Sequence, residues 1–317
     1  GKVVIWSDGA TNFAGTISAQ GGSVSGDGGR VETSGKKLMI ADSALVTTLA
    51  ARGQAGNWLL DPDGFTIGLN ADMTGAALSN ALANGNVEIA STSGSGTDGN
   101  INVNDAVTWA ANTLTLTATN NIFVNGVMTA SGTAGLAANY GHLLDANGNP
   151  TATVTPGQDT SHTPGTNADG TPMGLYTDQG ATSGAFAGKV NFSGTGGVTL
   201  NGTNYTVVNE LAELAAAKND PAGHYVLGSD IYGLTATSWE GALADTTAFT
   251  GAFNGFGHLV VLPELTGSGL FGTIGGGAVV SNLGITAATV NAGSTSKPAA
   301  GILANVNQAS LSRLHQG

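Results

Sequence analysis

The sequence has no cysteine, and its 317 residues carry only nine Lys+Arg and 21 Asp+Glu. Charged residues make up 9% of the chain, where soluble domains ordinarily have about 25%. So thin a supply of charge excludes a set of charged amphipathic helices. A net charge of −12 with few cations argues against nucleic acid, whose binding needs clustered Lys and Arg, and against an anionic membrane surface. No apolar run approaches the roughly 18 residues of a membrane-spanning helix. No charged-then-apolar leader opens the chain. Without cysteine there is no disulfide framework, which suits a chain that crosses a narrow pore unfolded and folds afterwards.

Small residues take the place of charge. Glycine accounts for 51 positions, roughly twice its usual share, and Ala, Thr, Ser and Asn fill much of the rest. Such a chain makes short strands and tight turns. The clearest strand pattern runs from Asn100 to Ala130, where Ile101 and Val103, Val107 and Trp109, Leu114 and Leu116, and Ile122 and Val124 alternate with polar residues. That is the period of a strand with one buried face. Ile101 and Val103 recur as Ile122 and Val124, 21 residues on. A strand-length echo at that spacing predicts stacked coils of about 21–25 residues, a parallel β-solenoid.

Further strand bursts fall at Val3–Trp6, Thr16–Ala19, Arg30–Thr33, Leu38–Ile40 and Leu45–Leu49, separated by SDG, QGG, SGDGG and SGKK. The run Gly26–Gly29 lacks the Lys-Ser/Thr and helix start of a phosphate loop, so it reads as corner glycine. Two segments change period. Thr74 stands as an N-cap before a helix near 76–83 with Leu78 and Leu82 on one face, and Gly85 stops it. A second helix is expected near 210–218, halted at Asp220-Pro221. Neither is long enough to stand alone. Residues 131–189 contain Pro150, Pro156, Pro164 and Pro172 and much Gly, Thr, Asp and Asn. They read as a long excursion from the coils, with a hairpin at Asp145–Gly148. The expected organisation is therefore coils over 1–130, an excursion over 131–189, and further coils over 190–317. Gly1 opens directly into strand-like sequence and Gly317 closes without a cap, as expected of a segment of a longer protein.

Several phrases carry a resemblance. WSDG at Trp6–Gly9, ISAQGG at Ile17–Gly22, SGDGGRVETSG at Ser25–Gly35 and GNWLLDPDGFTI at Gly56–Ile67 resemble, in wording and in order, the β-helical region of filamentous-haemagglutinin-type exoproteins, the secreted partners of two-partner secretion systems. ANGNV at Ala83–Val87 is similar to the end of that family's helical insert. The NPNG and NPNL-type motifs of its secretion domain are absent; Asn147–Pro150 has the wrong order. FTGAFNGFGHLV at Phe249–Val260 is similar to a phrase of many right-handed β-helices. GLFGTIGGGAVVSNLGI (Gly269–Ile285) and AGILANVNQASLSRL (Ala300–Leu314) resemble GLUG repeats, with Leu270 recurring as Leu303. The resemblance implies an all-β, right-handed parallel β-helix with short helical inserts and one long loop excursion. It implies a bacterial secreted or surface-displayed adhesin, non-enzymatic and without a cofactor. An outer-membrane transporter would be its secretion partner, and an extracellular receptor or glycan its target.

The residues give few sites. Asp230, Trp239 and Tyr176 are the candidates for ligand contact. Asp230 could also meet Glu240 and Asp245 as the carboxylate group that glycosidases require, and a Trp or Tyr ring can stack on sugar. Asp145, Asn147 and Asn149 faintly resemble the start of a calcium loop, but the closing Glu is missing. Asp61 and Asp63 flank Pro62 as turn residues. The five histidines show no metal spacing, and His258 reads as structural. No GxSxG nucleophile turn is present. Two alternatives to an adhesin stand beside it: a polysaccharide lyase or hydrolase, and a stalk displaying a module outside this segment.

Overall fold

The computed structural model describes residues 1–92, 97, 99–141, 167–169, 171–177, 186–233, 238–240, 247–266, 269–291 and 301–316, with backbone alone at 238–240, 266, 291, 310 and 316. The hairpin expected at Asp145–Gly148 and the calcium-loop candidates Asp145, Asn147 and Asn149 lie outside these residues. Strand dominates, so the protein is all-β. Among the described residues two short α-helices and one 3₁₀ turn interrupt it. The chain forms two compact units, Gly1–Leu175 with Gly194–Asn204, and Tyr176–Ser193 with Tyr205–Gly317.

In the first unit, strands Lys2–Trp6, Arg30–Ser34, Asn57–Asp61, Asn86–Ser91, Thr113–Ala118 and Gly135–Asn139 pair in that order, each parallel to the next. Lys2 faces Arg30, Arg30 faces Asn57, Asn57 faces Asn86 and Val87 faces Leu114. Each of these steps along the chain is longer than the coil expected from the echo between Ile101 and Ile122. The registers stack one side-chain column in the interior: Val31, Trp58, Val87, Leu114, Leu136 and Val198 lie opposite one another, each at most 2% exposed. Two positions on, Thr33, Leu60, Ile89, Leu116, Ala138 and Leu200 form the next column. Period-two alternation puts both columns on one face of the sheet. Each fully buried aliphatic contributes about 1.5–3 kcal/mol. The one polar member, Thr33, is satisfied because Trp58 Nε1–H donates to its Oγ1 at 3.0 Å.

The echo between Ile101 and Ile122 is itself a register. Ile101 pairs with Ile122 and Val103 with Val124 in a second parallel sheet, which Phe65–Ile67 joins on the other side. Asparagines repeat at the same spacing outside the strand. Asn100 Oδ1 accepts from the Asn121 N–H at 2.9 Å, and Asn125 Nδ2 donates to Asn104 Oδ1 at 2.8 Å. Smaller parallel pairs join Ala10–Phe13 to Lys37–Ile40, Thr16–Ser18 to Leu45–Thr47, and Val107–Trp109 to Val127–Ala130. The sequence reading missed Ala10–Phe13, whose only large apolar side chain is Phe13. Gly135–Asn139, placed within the excursion by the sequence, continues the main ladder.

Helix α1 spans Gly75–Ala83, with Leu78 and Leu82 fully buried. Thr74 caps it: its Oγ1 accepts from the Ala77 N–H at 3.1 Å and donates to Asp42 Oδ1 at 2.6 Å. Gly75 N–H donates to Asp105 Oδ2 at 3.0 Å. Two carboxylates from outside the helix thus anchor its positive end. Thr74→Ala is expected to lower the unfolding free energy by about 1 kcal/mol. A urea midpoint shifted down at unchanged slope would show it, and an unchanged midpoint would mean that the cap is not formed.

In the second unit, Val207 faces Val226 and Val226 faces Asn254. The long strand Ala252–Thr266 pairs in parallel with Val279–Asn291, which pairs with Ser310–Gln316. The core is aromatic. Phe271 meets Phe249 at 5.1 Å and Phe253 edge-on at 5.7 Å between centroids. Helix α2 is shorter than expected, Leu211–Ala216 followed by the 3₁₀ turn Ala217–Asn219. Leu214 is fully buried, whereas Leu211 and Ala215 pack only partly. A register shift between Asn254 and His258 marks a corner. Phe256, Asn282 and Arg313 are left-handed there, with φ of 50°, 52° and 50°. Asn282, fully buried, tolerates this because its amide supplies the missing partners. Its Nδ2 donates to Asn254 Oδ1 at 3.0 Å and its Oδ1 accepts from the Thr177 N–H at 3.1 Å.

The GLUG-like spacing is also a register. Phe271 pairs with Ala304, the same offset that separates Leu270 from Leu303, and Val280 pairs with Leu311.

Candidate functional site

Two groups of polar side chains stand out, one in each unit. The first lines an open groove of about 310 Å³ formed by Lys36, Lys37, Leu38, Asp63, Gly64, Phe65, Thr66, Asp72, Thr97, Asn100 and Asn102. Parallel register brings these distant stretches together. The Asp63 N–H donates to the Lys36 carbonyl at 3.2 Å, and Asp63 bridges in parallel to Thr92. Gly64 turns the chain with φ 72°, a conformation that suits glycine. Its N–H donates to the Thr92 carbonyl, and the next N–H, of Phe65, to Asn100. Thr66 then lies opposite Asn102 in the ladder.

Each polar wall is held from behind. Asp72 Oδ2 accepts from the Thr66 N–H at 2.7 Å while the Asp72 N–H donates back to the Thr66 carbonyl. Burial raises the Asp72 carboxyl above the ordinary aspartate value, against the lowering pull of the Thr66 N–H and Lys37. Asp63 Oδ1 accepts from the Thr92 hydroxyl at 3.1 Å. Asn100 is fixed by Asn121. Asn102 Nδ2 makes one long contact, 3.5 Å to Thr66 Oγ1. Lys36 and Lys37 are exposed, and Leu38 and Phe65 are buried beneath. Chemically this is an open cleft lined by lysine donors, aspartate acceptors and asparagine amides. The sequence reading placed Asp63 in a turn, where it lies, and did not connect it with Lys36 or Asn102. Behind the groove, Asp61 is raised by burial first and then by the negative charges of Glu32, Asp63 and Glu88.

The second group surrounds Asp230. Its Oδ2 takes the Lys189 ammonium at 3.0 Å, and its Oδ1 takes the Leu259 N–H at 3.0 Å and faces His258 Nδ1 at 3.0 Å. His258, 1% exposed, donates from Nε2 to the Val190 carbonyl at 2.9 Å. A carbonyl only accepts, so Nε2 carries the proton, and Nδ1 donates to the Asp230 carboxylate when the ring is protonated. Burial alone would raise the Asp230 carboxyl, but the Leu259 N–H, Lys189 and His258 together hold it below the ordinary value. Burial lowers the His258 imidazole below its ordinary value, and Val190 and Asp230 offset that only in part. Both ring nitrogens are occupied, so neither is left to take a proton from a bound molecule. The chemistry of this group is that of a clamp joining Lys189–Phe192, the turn at Asp230 and the Ala252–Thr266 strand.

Of the residues singled out from the sequence, Asp230 is therefore brought to Lys189 and His258. The side chains of Glu240 and Trp239, and all of Asp245, lie outside the described residues. The Trp239 backbone sits in strand Ser238–Glu240, paired with Leu265. Tyr176 is buried, 7% exposed, and the Arg313 guanidinium lies 5.3 Å from its ring centroid, a cation–π contact. Among the described residues no group of three or more His, Cys, Asp or Glu could hold a metal ion, and no helix is long and apolar enough to cross a membrane.

Comparison with family models, with curated proteins and with solved structures gave no match.

Proposed function

We propose that this chain is a segment of a secreted or surface-displayed bacterial adhesin of the filamentous-haemagglutinin type, each of its units a right-handed parallel β-helix. The observation that carries the reading is the parallel, in-register pairing of successive strands of the main ladder in the first unit, from Lys2–Trp6 onward. It runs through the same segments that bear the ordered WSDG, SGDGGRVETSG and GNWLLDPDGFTI phrases. The right hand follows from the rule that parallel strands are joined by right-handed crossovers in about 98% of cases. A stack of this kind presents a repetitive polar face, as at Thr113, Thr115 and Thr117, which alternate with buried Leu114 and Leu116. Such a face, rigid and low in charge, suits attachment to an extracellular receptor or glycan. An outer-membrane transporter is the secretion partner this reading requires.

The test is a glycan array probed with the purified chain, run beside a reducing-end and unsaturated-product assay on every glycan retained. Retention without turnover is the expected result. Turnover that disappears on an Asp→Asn change would overturn the reading in favour of a polysaccharide-acting enzyme.

A further inference from the structure

We propose that the groove between Lys36 and Asn102 binds a short saccharide carrying a carboxylate, with Lys36 and Lys37 on the acid group and Asp63, Asp72 and Asn102 on the hydroxyls. Cations are scarce in this chain, nine in 317 residues, and Lys36-Lys37 is the one place where two are adjacent in sequence. Both line the same groove. Among the described residues neither belongs to an ion pair, the bridges being Lys2–Glu32, Lys189–Asp230 and His258–Asp230. Neither ammonium is held in a direct ion pair, and Lys37 feels Asp72 only at longer range, so both can turn to an anion.

The carboxylates of the groove limit which anion. Asp63 and Asp72 stand in the same cleft, so a phosphate, with nearly twice the charge, meets two carboxylates that oppose it. A single carboxylate spaced away from them by a ring of hydroxyls does not. The remaining lone pairs of Asp63 and Asp72 accept from sugar hydroxyls, while Asn102, whose side chain among the described residues makes the long contact to Thr66, has an amide that can both donate and accept. Leu38 and Phe65, packed in the core behind the groove, hold its polar walls in place. The volume, about 310 Å³, lies at the small end of ligand sites. A neutral sugar would leave the lysines unused, and the net charge of −12 disfavours a long polyanion.

The inference takes its biological setting from the adhesin reading, but the chemistry of the groove stands apart from it. Titration calorimetry with trigalacturonic acid and with sialyllactose, against the trigalacturonate methyl ester and inorganic phosphate, tests it. At least one acidic sugar should bind, and where it is trigalacturonate the ester should bind at least tenfold more weakly. Lys36→Gln/Lys37→Gln should weaken the acidic sugar at least tenfold and flatten its salt dependence, with the urea midpoint unchanged because both side chains are exposed. Asn102→Ala should weaken both the acid and the ester. Failure of both acidic sugars to bind, equal binding of acid and ester, tighter binding of phosphate, or no effect of the double variant would each overturn the proposal. Adhesion of chain-coated beads to a glycan surface separates the two readings. Adhesion kept in the double variant leaves the adhesin reading standing without this groove. Sugar binding without any bead adhesion leaves the groove standing without the adhesin.

Discussion

Gly28→Ala is expected to destabilise the first unit by about 3 kcal/mol or more. A Cβ at Gly28 would lie 1.7 Å from the Thr48 carbonyl oxygen and 2.3 Å from the Gly56 nitrogen. Both neighbours are backbone, and they are hydrogen-bonded to each other at 2.7 Å, Gly56 N–H to Thr48 O. Nothing there can swing aside as a side-chain tip would. The mirror position is as tight: a Cβ on Gly56 would meet the Gly29 carbonyl at 1.9 Å. The substitution must push apart the corner through which Arg30–Ser34 and Asn57–Asp61 enter their ladder, and the Val31–Trp58 column opens with it. Gly9→Ala is the control, since a Cβ there meets nothing within 4 Å; it should fall within about 0.5 kcal/mol of the parent. Urea unfolding monitored by tryptophan fluorescence reads the difference. Equal midpoints for the two variants would mean that the corner is not packed as closely as described.

That result bears on how a glycine-rich sequence is read. Gly28 and Gly56 look like corner glycines chosen for positive φ, yet neither has it; Gly26, with φ 110°, does. They are required by the closeness of neighbouring backbone, which no single-sequence pattern reveals. Strand positions were legible because one face is buried and the period of two survives in short bursts. The Asn100–Ala130 echo and the Leu270–Leu303 spacing were legible as well, because in a parallel ladder the sequence offset between like positions is the register itself. The polar sites were not legible, for the same physical reason seen from the other side. Lys36 meets Asp63, and Asp230 meets His258, each across one full strand-to-strand step of a ladder. Reading by nearness along the chain put Asp230 with Glu240 and Asp245 instead. Laying the sequence out at the step from Lys2 to Arg30, rather than at the shorter echo from Ile101 to Ile122, would have placed Asp63 beside Lys36 and His258 beside Asp230. The Asn201-Gly202 turn, left-handed at both residues with φ of 47° and 75°, carries the Asn-Gly signal of a two-residue hairpin.

Asp230→Ala is expected to cost the second unit about 3 kcal/mol, because it leaves the buried His258 Nδ1, the Leu259 N–H and the Lys189 ammonium without their shared carboxylate. Asp230→Asn should cost less, since an amide oxygen can still accept from Leu259 while the ionic attraction to Lys189 is gone. Lys189→Met should cost least, the ammonium being partly exposed, 26%. The order Ala, Asn, Met distinguishes a clamp from scattered surface charge, which would give three similar and small effects. The clamp also fixes the response to acid. Asp230 and His258 both hold protons less readily folded than unfolded. As pH falls the unfolded chain therefore takes up more protons, and stability falls with it. For His258 the loss begins near the ordinary histidine value of about 6.5 and runs down to its lower folded value; for Asp230 it begins near about 3.9 and runs down through its lowered one. Asp61 and Asp72 in the first unit are shifted the other way, upward. Their folded forms hold protons more readily, so their cost to the fold is relieved as pH falls through their raised values toward about 3.9. Below about pH 6.5 the two units should diverge. Amide hydrogen exchange should show protection in Ala252–Thr266 weakening on acidification before protection in Asn57–Asp61 does. In Asp230→Ala that early loss should grow, because Asp230 is one of the groups holding the His258 value up against burial, and without it the folded value falls further below the unfolded one. Protection that falls in parallel in both strands, or first in Asn57–Asp61, would show that these side chains do not set the acid response.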